Sequence, residues 1–179
     1  MFPLRDHNPT EIFPLFTIAI ALITAAAWVL LQGAGAYEPL VGSICALGVV
    51  PAELTGQSPI RPDELCTGPN VGAASLVTSI FLHGGWGHLI GNLWFLWVFG
   101  NNIEDSMGHM RFLAFYFVTG VAAAAAQVAL APSSPVPMVG ASGAISGIMG
   151  AYIVLYPKAR IDTFSRQVLH KAVSQILPI

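Results

Sequence analysis

The chain is 179 residues long, with 55% hydrophobic residues, only 9% charged residues and a formal net charge of −2. Soluble domains carry about 25% charged residues. The low charge and the mean hydropathy of +0.69 therefore indicate an integral membrane protein. The small net charge and the lack of a basic cluster in the sequence exclude nucleic acid as a partner. The expected surroundings are a lipid bilayer.

Four apolar segments, taken in chain order, are candidates for membrane-spanning helices. Residues 12–37, 65–103 and 112–157 contain no Asp, Glu, Lys or Arg, and a spanning helix needs about 20 apolar residues. Prolines break the last stretch in two, at Pro132, Pro135 and Pro137. We predict an all-α, polytopic membrane bundle with spans at residues 13–31, 86–103, 112–130 and 142–156.

The first segment also has one feature of a signal peptide. The sequence Ala34-Gly35-Ala36 resembles a cleavage site. The apolar run before it is longer than the ~7–15 residues of a signal peptide's apolar region. We therefore interpret this segment as a retained anchor.

The basic residues predict the orientation of the bundle. If the N-terminus lies inside, Arg61 is the only basic residue outside, and the inner segments hold Arg5, Arg111, Lys158, Arg160, Arg166 and Lys171. The positive-inside rule favours this arrangement. We expect a multi-pass protein of a bacterial inner membrane with a cytoplasmic N-terminus.

A long outer loop, at about residues 33–72, joins the first two spans. It contains Cys45 and Cys66, the only cysteines in the sequence. A disulfide would persist outside a bacterial inner membrane, but two buried free thiols are equally compatible with the sequence. Residues 41–54 mix apolar and small side chains, which favours a short helix at the membrane surface.

The last part of the chain has a different pattern. After Lys158, apolar residues recur at helical spacing, with basic and polar residues between them. This pattern predicts an amphipathic interfacial helix over residues 161–179. The sequence thus divides into a membrane domain, residues 1–160, and an amphipathic tail.

Polar residues at the start of two predicted spans indicate a candidate catalytic site. His88 opens the second span, and Ser142 opens the fourth within Gly140-Ala141-Ser142-Gly143. Each lies sixteen residues before a charged inner boundary, at Glu104 and Lys158 respectively, which corresponds to about 24 Å along a helix. Asn92 is one helical turn deeper than His88. These groups can therefore meet in one shallow, outward-open cavity.

Simpler roles exist for each residue alone. A serine among small residues often only packs against a neighbouring helix, as Ser146 would, and Asn92 could join two helices through a hydrogen bond. His83 and His88 are five residues apart with no Glu between them, so they do not match the spacing of a zinc-binding helix. Gly143 and Gly147 have the spacing that lets membrane helices approach closely.

Together, the run from His83 through His88 to Asn92 and the Gly-Ala-Ser-Gly sequence at Ser142 resemble the rhomboid intramembrane serine proteases. The resemblance implies that Ser142 is the nucleophile. It also implies that His88, Asn92 and the Ser142 backbone N–H form the oxyanion hole, with His83, Gly140 and Gly143 as structural residues near the site. The expected substrates are transmembrane proteins cut near their outer end, without a metal or cofactor.

One departure from the family pattern concerns the general base. In rhomboid proteases this base is a histidine on a sixth span, and no fifth or sixth span is predicted here. We place His7, His109 and His170 on the inner side, away from Ser142. We therefore expect an intramembrane serine endopeptidase that is impaired in this chain. The alternative is a non-catalytic rhomboid-like protein that binds transmembrane helices.

Overall fold

The computed structural model describes residues 2–57, 66 and 68–164, and within them the chain is mostly helical. Four long helices dominate, and three shorter helices lie between the first two of them. The long helices are α1 (Leu15–Leu30), α5 (Trp86–Met107), α6 (His109–Leu130) and α7 (Ser142–Leu155). The short helices are α2 (Tyr37–Leu47), α3 (Pro51–Leu54) and α4 (Ser75–Thr78), and 3-10 turns flank α4 at Gly72–Ala74 and Ser79–Phe81.

The long helices coincide with the four predicted spans to within a few residues at most ends. By length and apolar composition, one of the described helices, His109–Leu130, is sufficient to cross a membrane. Leu15–Leu30, Gly72–Phe81 and Ser142–Leu155 are apolar but shorter. Helix α5 continues past the predicted end at residue 103 to Met107. The number of spans therefore stays a prediction.

Helices α5, α6 and α7 enclose the core, and α1 packs against the side of α5. Ile103, Phe112, Tyr116 and Ile148 are completely buried there. Small residues bring α6 and α7 together, as their spacing predicted. A Cβ atom added to Gly143 would lie 2.5 Å from the Ala123 Cβ. The close approach of the two helices therefore depends on glycine at this position.

A buried carboxylate joins α5 to the beginning of α1. Glu104 accepts hydrogen bonds from the Phe16 N–H and the Thr17 N–H, each at 2.8 Å, and from the Thr17 hydroxyl at 2.7 Å. His109 contacts the same carboxylate at 2.6 Å. The position of Glu104 at the end of an apolar run predicted a charged boundary at the inner surface. The structure instead buries it within the bundle, where it satisfies the free N–H groups of a helix terminus.

Two short strands, formed by the N-terminal segment and the chain after α7, qualify the all-α prediction. Strand β1 (Phe2–Asp6) pairs antiparallel with β2 (Ile161–Phe164). The predicted amphipathic helix is therefore wrong over residues 161–164, because backbone pairing with the N-terminal segment overrides the helical spacing of apolar residues. The rest of that predicted helix, residues 165–179, lies outside the described residues.

The outer loop folds back onto the bundle. Cys45 and Cys66 form a disulfide, which resolves the choice that the sequence left open. Val49 and Met138 exchange two backbone hydrogen bonds, at 3.0 and 2.7 Å, and the Ala52 N–H donates to the Ser134 carbonyl. These bonds attach the outer loop to the connection between α6 and α7.

Candidate active site

Ser142 is the first residue of α7, and its side chain is exposed. No side chain caps this helix end. The first N–H groups of a helix have no partner within the helix, and the helix dipole makes this end positive. The hydroxyl therefore lies beside backbone donors that can stabilise a negative charge.

Gly140 brings the serine turn against α5. Its backbone has φ +123°, a conformation that residues other than glycine rarely adopt. Its N–H donates to the Ser79 carbonyl at 2.9 Å. A Cβ atom built on Gly140 would lie 2.6 Å from both Cε1 and Nε2 of His88, and 3.8 Å from Nδ2 of Asn92. The structure thus places the turn before Ser142 directly against the two other predicted site residues.

His88 is exposed and presents one ring nitrogen toward this turn. Its Nδ1 accepts a long hydrogen bond, 3.4 Å, from the Gly84 N–H. With an acceptor at Nδ1, the ring proton lies on Nε2. The nitrogen next to Gly140 is therefore a hydrogen-bond donor.

Asn92 is buried, with 8% of its surface exposed, and its Nδ2 has no hydrogen-bond partner in the part of the chain that the structure describes. Leaving a buried polar group unpaired costs about 1–3 kcal/mol. Such a group is expected where a donor is held ready for an atom that arrives during a reaction.

His83 lies behind His88, and no part of it is exposed. The two rings meet edge to face with centroids 4.9 Å apart. Burial, and then the neighbouring His88, lower the pKa of His83 to about 4. The ring is therefore neutral at pH 7 and supports His88 by packing, which fits the structural role that the resemblance implies.

The structure adds Gln32, which the sequence analysis missed. Its side-chain amide donates to the His83 carbonyl and accepts from the His83 N–H, both at 2.8 Å. Gln32 is completely buried, just after the end of α1. A polar residue at the end of an apolar run was the available signal, but no local pattern indicated its partner 51 residues away.

A cavity of about 380 Å³ lies on the other side of Ser142, between α6 and the segment that leads into α7. Small residues form much of its wall, and its polar side chains are Ser142 and Gln127. Gln127 is a second residue that the sequence analysis did not select. The cavity is large enough for an extended peptide segment beside the serine.

The other two described histidines contact acidic residues elsewhere in the bundle. His7 contacts Asp162 at 3.0 Å beside the two-stranded sheet, and His109 contacts Glu104. His170 lies outside the described residues. Within the described residues, His83 and His88 are thus the histidines on the side of the Ser142 turn.

The chain is similar in sequence to known proteins of one family. The model of the Rhomboid domain family matches residues 72–179. The chain is 34% identical over 125 residues to the putative rhomboid protease YdcA of Bacillus subtilis (strain 168), which covers 65% of this chain and 62% of that protein.

Further relatives come from the same bacterium and from a plant. The chain is 41% identical over 78 residues to the rhomboid protease GluP of Bacillus subtilis, covering 44% of this chain and 15% of that protein. It is 37% identical over 79 residues to the chloroplastic Rhomboid-like protein 11 of Arabidopsis thaliana, covering 44% and 28%. The chain thus spans less than two thirds of the length of these relatives. No solved structure matches the chain.

Proposed function

The chain belongs to the rhomboid family, and from that membership we propose that it is an intramembrane serine endopeptidase with Ser142 as its nucleophile. The observation that carries the proposal is the contact between Gly140 and the His88 ring. That contact puts an exposed serine, a helix N-terminus and two side-chain donors around one point.

The chemistry follows from these groups. The Ser142 oxygen attacks the scissile carbonyl carbon, and the carbonyl oxygen gains negative charge as the tetrahedral intermediate forms. Nε2–H of His88, Nδ2–H of Asn92 and the Ser142 N–H are the donors for that oxygen. Preorganised donors of this kind contribute roughly 3–4 kcal/mol each to transition-state stabilisation.

The serine also needs a base to accept its proton. His88 is already assigned as a hydrogen-bond donor to the oxyanion. His83 is packed behind His88 and has no exposed surface, so neither histidine is assigned as the base. No base is assigned among the described residues, and the family resemblance implies a histidine in this role. Its general-base assistance is worth typically 10²–10⁴-fold in rate.

We place the site toward the outer face of a bacterial inner membrane, with the N-terminus in the cytoplasm. Two observations support this orientation. The basic residues are biased toward the inner segments, and the Cys45–Cys66 disulfide belongs on an oxidising side. The substrates in this proposal are transmembrane proteins that are cut near the outer end of a spanning helix.

A non-catalytic protein that binds transmembrane helices is the second candidate. It is favoured by one observation, namely that no base adjoins Ser142 among the described residues. The exposed small residues Ser142, Ser146 and Gly150 on α7 would then serve as a helix-packing face.

Cleavage of a transmembrane reporter in proteoliposomes distinguishes the two candidates. The wild-type chain should cleave slowly, because no base is assigned to it, and Ser142→Ala should abolish the cleavage that remains. Ser146→Ala is the matched control, because Ser146 lies one turn further along α7 and is also exposed; it should keep most of the activity. Cleavage that survives Ser142→Ala would refute the nucleophile. An intact reporter that nevertheless crosslinks to the wild-type protein would favour the binding function.

A further inference from the structure

A second cavity lies at the opposite end of the molecule from Ser142. It has a volume of about 450 Å³ and is formed between the N-terminal segment and the inner half of α5. Its polar lining consists of Arg5, Asp6, Asn8, Thr10 and Asn101, and Trp97 forms part of its wall. We refer to the space that these six residues line as the inner cavity.

Part of the inner cavity is rigid. One oxygen of Asp6, Oδ2, accepts hydrogen bonds from the side chains of Asn102, Tyr152 and Asn8. Asn8 also donates to the Tyr152 hydroxyl at 2.7 Å. The Asp6 charge is thus directed toward the interior and is offset by three donors. The N-terminal segment is fixed against α5 and α7 by these bonds.

The remaining polar groups of the cavity are unused donors. Within the described residues, the Arg5 guanidinium and the Thr10 hydroxyl make no hydrogen bond or ion pair. The Asn101 side-chain oxygen accepts two hydrogen bonds from Asn102, at 2.9 and 3.0 Å, and this leaves its amide nitrogen available. A guanidinium, an amide N–H and a hydroxyl converging on one cavity are suited to phosphate oxygens.

The position of Trp97 suggests where the phosphate comes from. Its side chain is 60% exposed on the same stretch of α5. Tryptophan side chains concentrate at the boundary between the acyl chains and the headgroups of a bilayer, where basic residues reach lipid phosphates. From these observations we propose that the inner cavity binds the phosphodiester group of one phospholipid, with Arg5 as its principal ligand.

Lipid binding can be measured on the intact chain by native mass spectrometry from detergent micelles. Phosphatidylglycerol is the probe, and diacylglycerol with the same acyl chains is the control that lacks the phosphate. We expect one phosphatidylglycerol per chain, bound more tightly than diacylglycerol, and an affinity about tenfold lower in Arg5→Gln, which corresponds to one charge-assisted contact.

Arg160→Gln is the matched variant, because Arg160 is also exposed near the two-stranded sheet but does not line the inner cavity. Its affinity should equal that of the wild type. Equal binding of both lipids, unchanged binding in Arg5→Gln, or an equal loss in Arg160→Gln would each overturn the proposal. Because the Arg5 side chain makes no hydrogen bond or ion pair within the described residues, Arg5→Gln should fold normally, which its unfolding midpoint verifies.

Inorganic phosphate distinguishes a lipid from a free phosphate as the ligand. Phosphatidylglycerol should remain bound in an excess of inorganic phosphate. Displacement by phosphate alone would identify a site for soluble phosphate and would overturn the lipid assignment. Ser142→Ala should bind the lipid like the wild type, so this experiment and the protease assay can fail independently.

Discussion

At the scale of single residues, the contact between the serine turn and α5 depends on Gly140. Its positive φ and its contact with the His88 ring leave no room for a side chain. Gly150, further along the helix that Ser142 begins, is different, because a Cβ added there would have no described atom within 4 Å. Gly140 is therefore required by the geometry of the site, whereas Gly150 affects only the flexibility of the helix.

Gly140→Ala should destabilise the protein by roughly 1–3 kcal/mol, because a strained backbone and a clash with His88 are imposed together. Gly150→Ala should instead stabilise it by about 0.5–1 kcal/mol, since alanine favours a helix interior. Denaturant unfolding in detergent checks both values. Equal effects of the two substitutions would show that the Gly140 turn is not in contact with α5.

At the scale of elements, one carboxylate determines how α1 joins the bundle. Glu104 accepts the N–H groups of the second and third residues of α1, Phe16 and Thr17, from a position on α5. Asp105, the next residue, accepts the N–H groups of Glu11 and Ile12, at 2.8 and 2.7 Å. Adjacent acidic residues thus support the start of α1 and the segment before it.

Glu104→Gln should lower the free energy of unfolding by roughly 2–3 kcal/mol, because a buried charged acceptor is replaced and one of its donors is left unpaired. Asp105→Asn is the comparison, since one oxygen, Oδ1, accepts both of its hydrogen bonds and an amide oxygen can do the same. It should cost less, as denaturant unfolding of both variants would show. A larger loss in Asp105→Asn than in Glu104→Gln would contradict the assigned role of Glu104.

At the scale of the whole molecule, connections close both ends of the bundle. At the end away from Ser142, β1 pairs with β2 and joins the N-terminal segment to the chain that follows α7. At the end that carries Ser142, residues 49–52 form backbone hydrogen bonds with residues 134–138, just before the serine turn. The outer loop therefore contributes to the position of Ser142 although none of its residues belongs to the site.

The proposed orientation predicts the location of each end. Alkaline phosphatase, which is active only outside the cytoplasm, should be active when inserted after Gln57 and inactive when fused after Arg160. The positive-inside bias is the physical reason. Gln57 is an exposed residue of the outer loop, so the insertion there leaves the packed helices intact. Activity from the Arg160 fusion would reverse the orientation and move Ser142 to the inner side.

Local sequence and composition were sufficient to predict much of the fold of this protein. Low charge and long apolar runs indicated a helical membrane protein, because the free energy of burial in lipid depends on each segment's own composition. The start of α7 at Ser142 and the close approach of Gly143 to α6 also followed from local sequence. The motifs at His88 and Ser142 were sufficient to predict membership of the rhomboid family, and the family model confirmed that prediction.

The tertiary structure alone decided which distant residues meet. Gln32 with His83, Glu104 with the start of α1, and Cys45 with Cys66 are pairs whose members lie far apart in sequence. Residues 161–164 form a strand because β1 offers backbone partners, which helical periodicity cannot reveal. Hydrogen bonds and disulfides depend on distance and direction in space. The sequence shows which polar groups need hydrogen-bond partners, and only the folded chain determines which groups pair with one another.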